Sequence, residues 1–429
     1  MSWYKEHTNK LAYHTSDRVT LIDGQAKKIS TESGRIIDYD VCVVATGSNA
    51  TVLNYISPDR AKRPAGAFVY RNVEDLIDQI SYAESRPIAH AGVVGGGLLG
   101  LEAAHALLQI GVSKVTIIER DPFILGRQVD SEGASFVLKK VKALGVDVMA
   151  NARLRSIIVG DAAQDDEGKA RVKGVLFEGE TPDAPDEQMD LDLIVFAIGV
   201  IPRDDLAKAS GITTAPRGGL VVSSQLATSV PDVYAIGECA SFNGQCFGLI
   251  APGVEQADIL AFNLTEGPLH SLRHLTSPDL STKLKLMGVD VASFGSYMAD
   301  KGITWRPLPG PLRNHKAATD GPLQDKIDVL TFRDPFAGVY KKYLFTSDGK
   351  HLVGGIMVGD VKDYGECSDF ITGAKLQQMT HHHFHLCPDA AYSQAGRIGE
   401  EGQGAGNVSG RAHRWRQEGR RGRRRRPGR

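Results

Sequence analysis

The chain has 429 residues, 42% hydrophobic and 24% charged, with a formal net charge of −1, which fits a soluble protein of about two to three domains with buried cores. Arg397 to Arg429 holds eleven Arg against Glu400, Glu401 and Glu418, about +8, which leaves about −9 for the rest and excludes a basic body made for nucleic acid or anionic membranes. Five irregularly spaced cysteines, the lack of an apolar run near the ~20 residues of a membrane span, and an N-terminus (MSWYKEHTNK) without signal-peptide or presequence character lead to the expectation of a reducing, cytoplasmic location with no membrane partner.

From Val19 to Val44 short β-type runs alternate with the turn signals DG and ESG, which predicts a small antiparallel meander. VCVVATG (41–47) predicts a buried strand ending in a glycine turn. FVYRNVEDLIDQI (68–80) predicts a strand leading into an amphipathic helix with Leu76, Ile77 and Ile80 on its apolar face. Residues 90–120 read as strand, helix and strand, and 136–150 as a helix followed by a strand. An acidic stretch around VKGVLFEG (160–190) predicts a surface hairpin, and LDLIVFAIG (191–199) a second buried strand ending in glycine. Two further strands with a linking turn are expected over 219–241, and a helix over 251–264 with Val254, Ile259, Leu260 and Phe262 at apolar spacing.

Past Pro268 the hairpin signals DPFAG and SDGK predict a separate α+β domain over 275–365. From 380 to 429 the chain is poor in Ile, Leu, Val and Phe, so a disordered basic tail is expected there. Its runs HHHFH (381–385) and RRGRRRRPGR read as solvated sequence rather than a metal or nucleic-acid site, and no metal ligands are assigned.

GVVGGGLLGLEAAHAL (92–107) is a glycine-rich dinucleotide fingerprint in its required context, with a strand before it, a helix after it, and Glu119 ending the next strand nineteen residues after Gly100. Each glycine has an expected role. Gly95 makes the tight turn, Gly97 lets the backbone approach a pyrophosphate, and Gly100 lets helix and strand pack closely. The helix N-terminus offers unpaired N–H groups to the phosphates. Glu119 is suited to an adenosine ribose 2′-hydroxyl, while its neighbour Arg120 could face a 2′-phosphate, so NADH and NADPH both stay open.

The order VVATGS (43–48), the fingerprint with Glu102, VFAIGVIP (195–202) and TSVPDVYAIGECA (228–240) resembles the pyridine nucleotide-disulfide oxidoreductase superfamily. STKLKLMGVDVASFG and AGVYKKYLF with LVGGIMVGD carry the narrower resemblance, to the flavoprotein part of assimilatory NAD(P)H nitrite reductases. The implied fold is α/β, with two Rossmann-like dinucleotide-binding domains, the NAD(P)H domain (76–204) being inserted into an FAD domain (1–75 and 205–270). The implied cofactors are FAD and NAD(P)H. Thr46 and Gly47 would lie near FAD, and Gly237 and Glu238 match the acidic motif for the flavin ribityl chain. Gly95, Gly97, Gly100, Glu102 and Glu119 would serve NAD(P)H, and Gly199 and Pro202 would close its domain. The helix from about Pro252 would direct its positive end at the flavin. No side chain is assigned a catalytic role, because the cofactor carries the chemistry.

The sequence also departs from the family. No strand–GxGxxG–helix lies between Met1 and Val19, so an N-terminally truncated FAD domain is expected. No CxxC or CxxxxC pair follows a fingerprint, and five scattered cysteines do not form the clusters that hold iron–sulfur and sirohaem, so those centres are expected only in a fuller family member. The resemblance implies an NAD(P)H-dependent flavoprotein oxidoreductase that supplies an electron-acceptor domain or protein, and it allows a homodimer. A stand-alone NAD(P)H:rubredoxin or ferredoxin-type reductase and a non-catalytic NAD(P)-binding fragment stay open beside it.

Overall fold

Five parallel strands organise the middle of the chain, in the spatial order Ala67–Val69, Leu193–Phe196, His90–Val94, Lys114–Ile118, Val146–Met149. In the computed structural model the described residues are 11–372 without 55, 161–167, 180–185, 268, 277–279, 305–307, 309–311, 313–314 and 317–320. They fall in one unit, Met1–Thr380, and the expected tail over 380–429 lies outside them. Parallel pairing needs crossover connections, and the helices Leu98–Gln109 and Ser131–Ala143 provide two of them. Leu193–Phe196 is buried along its whole length, as a strand covered on both faces must be. Among the described residues no helix is long and apolar enough to cross a membrane.

The helix Val73–Glu84 corrects one expectation. Its buried positions are Asp75 and Gln79, while Ile77 is 54% exposed. The cause lies at the helix start. Asn72 caps the helix by accepting the Asp75 N–H at 2.9 Å, and the Asp75 carboxylate accepts the N–H groups of Arg71 and Asn72, both at 3.1 Å. That reciprocal cap turns the Asp75–Gln79 stripe inward, where Gln79 Nε2 donates to Val69 O at 2.9 Å.

Two smaller parts flank the central sheet. Leu154–Val159, Val172–Phe177 and Glu187–Asp190 form an antiparallel three-stranded sheet whose middle strand contains the expected VKGVLF run. Before and after the central unit the chain builds another layer. The expected meander is Val19–Asp23, Lys28–Thr31 and Ile36–Asp38, and Cys42–Val44 pairs in parallel with Val233–Ala235. Residues 219–241 contribute three strands rather than two, because Leu220–Val222 pairs with Ala240–Phe242 beyond Val233–Ala235. The helix Ile250–Thr265 covers this layer with Ile259 and Leu260, which pack with Ile22, Cys42, Val44, Val233 and Ala235. Val254, expected on that apolar face, is 53% exposed, and Pro252 and Gln256 take the buried positions of the first turns.

Residues Thr282–Leu286, Val289–Gly295, Leu352–Val358, Val339–Thr346 and Ile327–Asp334 form an antiparallel five-stranded sheet in that spatial order. DPFAG and SDGK make two of its tight connections, and Asp334 Oδ1 accepts from the Phe336 and Ala337 N–H groups at 2.9 Å. A helix, Tyr364–Thr372, follows and runs past the expected limit of 365. This sheet has no fully separate core. Met287, Val291, Tyr340, Ile356 and Val358 pack in one cluster with Leu101, Leu107, Phe136 and Val137 of the central layer.

The inward face of Val73–Glu84 can be tested by paired substitutions. Asp75→Ala should lower stability by about 1–2 kcal/mol in denaturant unfolding, whereas Ile77→Ser should stay within about 0.5 kcal/mol of the parent. Equal losses would contradict the orientation.

Candidate nucleotide sites

The fingerprint loop follows from local backbone requirements. Gly95 leaves the strand at φ +106°, and a Cβ there would lie 2.6 Å from Ala197 O. A Cβ on Gly100 would stand 1.8 Å from Gly95 O, so the helix Leu98–Gln109 can lie this close to the strand only with glycine at 100. Gly97 is different. It caps the helix without a side-chain hydrogen bond, and a Cβ there would meet nothing within 4 Å. The uncapped first-turn N–H groups therefore border open space, which is the arrangement a pyrophosphate needs.

Glu119 holds this loop from the next strand. Its Oε2 accepts the Gly96 N–H, and its Oε1 accepts the Asp121 N–H at 2.8 Å. Arg120 projects away, 74% exposed in its side chain and 3.5 Å from Asp121. The acid is thus turned into the site and the cation out of it. Glu102 is exposed one turn into the helix. Burial, and then the Glu102 charge, push the Tyr70 phenol above its ordinary pKa.

A second cluster surrounds the antiparallel pair Ser48–Ala50 and Val200–Pro202, in which Pro202 stands opposite Ser48. Thr46 Oγ1 donates to Arg203 O at 2.8 Å, and the Arg203 N–H donates to Gly47 O at 2.9 Å. The Thr51 N–H donates to Gly199 O at 2.9 Å. Ser48 Oγ donates to Glu238 Oε2 at 2.6 Å, and Arg71 Nη2 bonds Glu238 Oε2 and also Ser48 Oγ, the latter at 2.9 Å. The Gly237 N–H donates to Gln256 Oε1 at 2.7 Å, and a Cβ on Gly253 would come 3.5 Å from Gly237 Cα, so the first turn of Ile250–Thr265 lies against Gly237.

The structure therefore brings Thr46, Gly47, Gly199, Pro202, Gly237 and Glu238 together around one strand pair. Gly95, Gly97, Gly100 and Glu119 form the neighbouring loop, and Gly95 packs on Ala197 two residues before Gly199. Gly47, Gly199 and Gly237 all have positive φ, and a Cβ on any of them would meet nothing within 4 Å. Sequence reasoning missed Ser48 and Arg71. Arg71 stands just before the cap in YRNVED, but its bond to Glu238 spans 167 positions, and no local pattern signals it.

These surroundings fit a nicotinamide dinucleotide at the fingerprint. Around Glu238 they fit a polyol: a carboxylate, a hydroxyl and a guanidinium converge beside the open glycine turns at Gly47 and Gly237. Two buried donors there, Arg71 Nε and Gln256 Nε2, have no hydrogen-bond partner, and such donors are suited to a polar ligand. The described residues contain no second glycine-rich strand–turn–helix for the pyrophosphate of FAD. Among them Cys42, Cys239, Cys246 and Cys367 are free thiols, and no three His, Cys, Asp or Glu side chains gather as a metal group. HHHFH lies outside the described residues.

Comparison with known proteins extends this geometry. Residues 4–259 match the family described as pyridine nucleotide-disulphide oxidoreductase. The nitrite reductase [NAD(P)H] of Emericella nidulans is 43% identical over 378 residues, 87% of this chain and 33% of that protein. The nitrite reductase [NAD(P)H] of Neurospora crassa is 46% identical, over 85% of this chain and 31% of that protein. The chain thus spans about a third of the length of these relatives. A solved ferredoxin reductase from Rhodopseudomonas palustris shares the fold with a TM-score of 0.67 at 21% identity, over 91% of this chain and 84% of that one. The chain belongs to the pyridine nucleotide-disulphide oxidoreductase family.

Proposed function

We propose that this chain is the NAD(P)H-oxidising flavoprotein part of a nitrite-reductase-type enzyme, delivering electrons to an acceptor domain or protein that reduces nitrite to ammonium in nitrate assimilation. The observation that carries this reading is the adjacency of two nucleotide-type sites: Gly95 of the fingerprint packs on Ala197, two residues before the Gly199 turn of the strand pair whose Ser48 reaches Glu238. Similarity to the fungal nitrite reductases supports the choice of pathway.

The chain's own residues divide the work. The first-turn N–H groups of Leu98–Gln109 hold the pyrophosphate of NAD(P)H, with Gly97 leaving the approach clear. Glu119 accepts hydrogen bonds from the adenosine ribose. Glu238, Ser48 and Arg71 hold the flavin polyol, and the N-terminus of Ile250–Thr265 places positive potential beside Gly237. Bound FAD supplies the step-down from a two-electron donor to one-electron acceptors. None of these side chains has to move a proton; they place and orient.

The test uses the full chain loaded with FAD. Anaerobic NADH should bleach the visible flavin band of the parent protein. Glu238→Ala should weaken flavin retention by about tenfold or more, from the loss of a charged hydrogen-bond acceptor, and leave NADH affinity unchanged. Gly97→Val should do the reverse, removing NADH binding while flavin stays. A parent chain that binds NADH but no flavin would overturn the oxidoreductase reading in favour of a nucleotide-binding fragment.

A further inference from the structure

Besides the shared apolar core, the C-terminal part makes polar contacts with one short segment of the nucleotide domain, and that segment leads back to the fingerprint. Gly96 is held from two directions: its N–H donates to Glu119, and its carbonyl accepts the Leu125 N–H at 2.9 Å. Leu125 has φ +55°, a left-handed conformation that a branched side chain adopts only where its surroundings impose it. Its carbonyl in turn accepts the N–H groups of Gln128 at 2.8 Å and Val129 at 3.0 Å. Next comes Asp130, which caps the helix Ser131–Ala143 by accepting the Gly133 N–H at 2.9 Å.

Four side chains of the C-terminal part reach this segment. Tyr297 donates to Arg127 O, Tyr340 donates to Asp130 Oδ2 at 2.9 Å, and Arg333 pairs with Glu132, Nη2 to Oε2 at 2.8 Å. Lys342 Nζ bonds Asp130 at 3.0 Å and Asp300 at 2.7 Å, with only 3% of its side chain exposed. Burial alone would raise the Asp130 carboxyl, but the bonds from Gly133, Lys342 and Tyr340 hold it below its ordinary value.

We propose that Lys342 and Asp130 are positioning residues for the nicotinamide nucleotide: their buried pair fixes the Leu125–Asp130 turn, and that turn holds Gly96 and Glu119 in the geometry that receives the ligand. The proposal rests on the reading of the fingerprint as the NAD(P)H site. The strand itself contains the control. Successive side chains of a strand point to opposite faces, and Lys341, one residue earlier, is 7% exposed and bonds Asp360 at 3.0 Å and Asp363 at 2.9 Å, both within the C-terminal part. Each lysine is a buried cation with two carboxylates. Only Lys342 reaches the nucleotide domain.

Lys342→Met and Lys341→Met are compared in the full chain by NADH titration, thermal unfolding, and hydrogen exchange of peptides covering Gly95–Leu101 and Glu119–Val129. Both should lower the unfolding midpoint. Lys342→Met alone should raise the Kd for NADH by about five- to tenfold and speed exchange in both peptides. Asp130→Asn keeps the cap but loses the charge; it should give the same pattern and carries the test if Lys342→Met does not fold. Parent-like affinity and exchange in the Lys342 and Asp130 variants would overturn the proposal, as would an equal effect of Lys341→Met. If the parent chain itself binds no NADH, the reading of the site fails, and exchange at Gly95–Leu101 alone decides the clamp.

Discussion

The antiparallel pairing of Ser48–Ala50 with Val200–Pro202 is the constraint on which the sites depend. Each strand leaves a different layer: one follows Cys42–Val44 of the outer layer, the other follows Leu193–Phe196 of the central sheet. Tying them together puts the glycine turn at Gly47 at one end of the strand pair and the turn at Gly199 at the other, and the bonds from Arg203 to Gly47 and from Thr51 to Gly199 fix that register. A chain that places two dinucleotides end to end needs such a tie, because a displacement of about 1 Å at the reacting ends can cost on the order of a hundredfold in rate. Ser48 adds a polar contact to the same strand by reaching Glu238.

The fingerprint was legible because each of its glycines answers a local demand. Gly95 and Gly100 face backbone carbonyls at distances that exclude a Cβ, and Gly97 faces open space. Glu119 was legible for a similar reason, since a strand-end acid at that spacing falls beside the loop. The Glu238 surroundings were legible only in part. The YAIGE pattern marks the acid, but its partners Ser48 and Arg71 lie 190 and 167 positions away, and only the folded chain selects them. Apolar spacing alone misplaces the inward face of Val73–Glu84, because the Asn72–Asp75 cap turns the helix.

The C-terminal sheet shows the same limit at larger scale. Its hairpin signals locate the strands, yet nothing local indicates that Tyr340 packs on Phe136 with ring centroids 5.7 Å apart, or that Lys342 pairs with Asp130 at a separation of 212 positions. The sheet shares its apolar core with the central layer. Its polar contacts at Arg127–Glu132 give that shared core a fixed register. A buried ion pair adds little stability compared with apolar residues of the same shape, and specifying register is its better-attested use.

Crystals of the chain grown with FAD and ADP-ribose together would test the central assignment most directly. The expected result is ADP-ribose at the fingerprint, its pyrophosphate on the N-terminus of Leu98–Gln109 and its adenosine ribose on Glu119, with the FAD polyol on Glu238. FAD lying in the Gly95–Gly100 loop, or ADP-ribose bound away from it, would contradict the account.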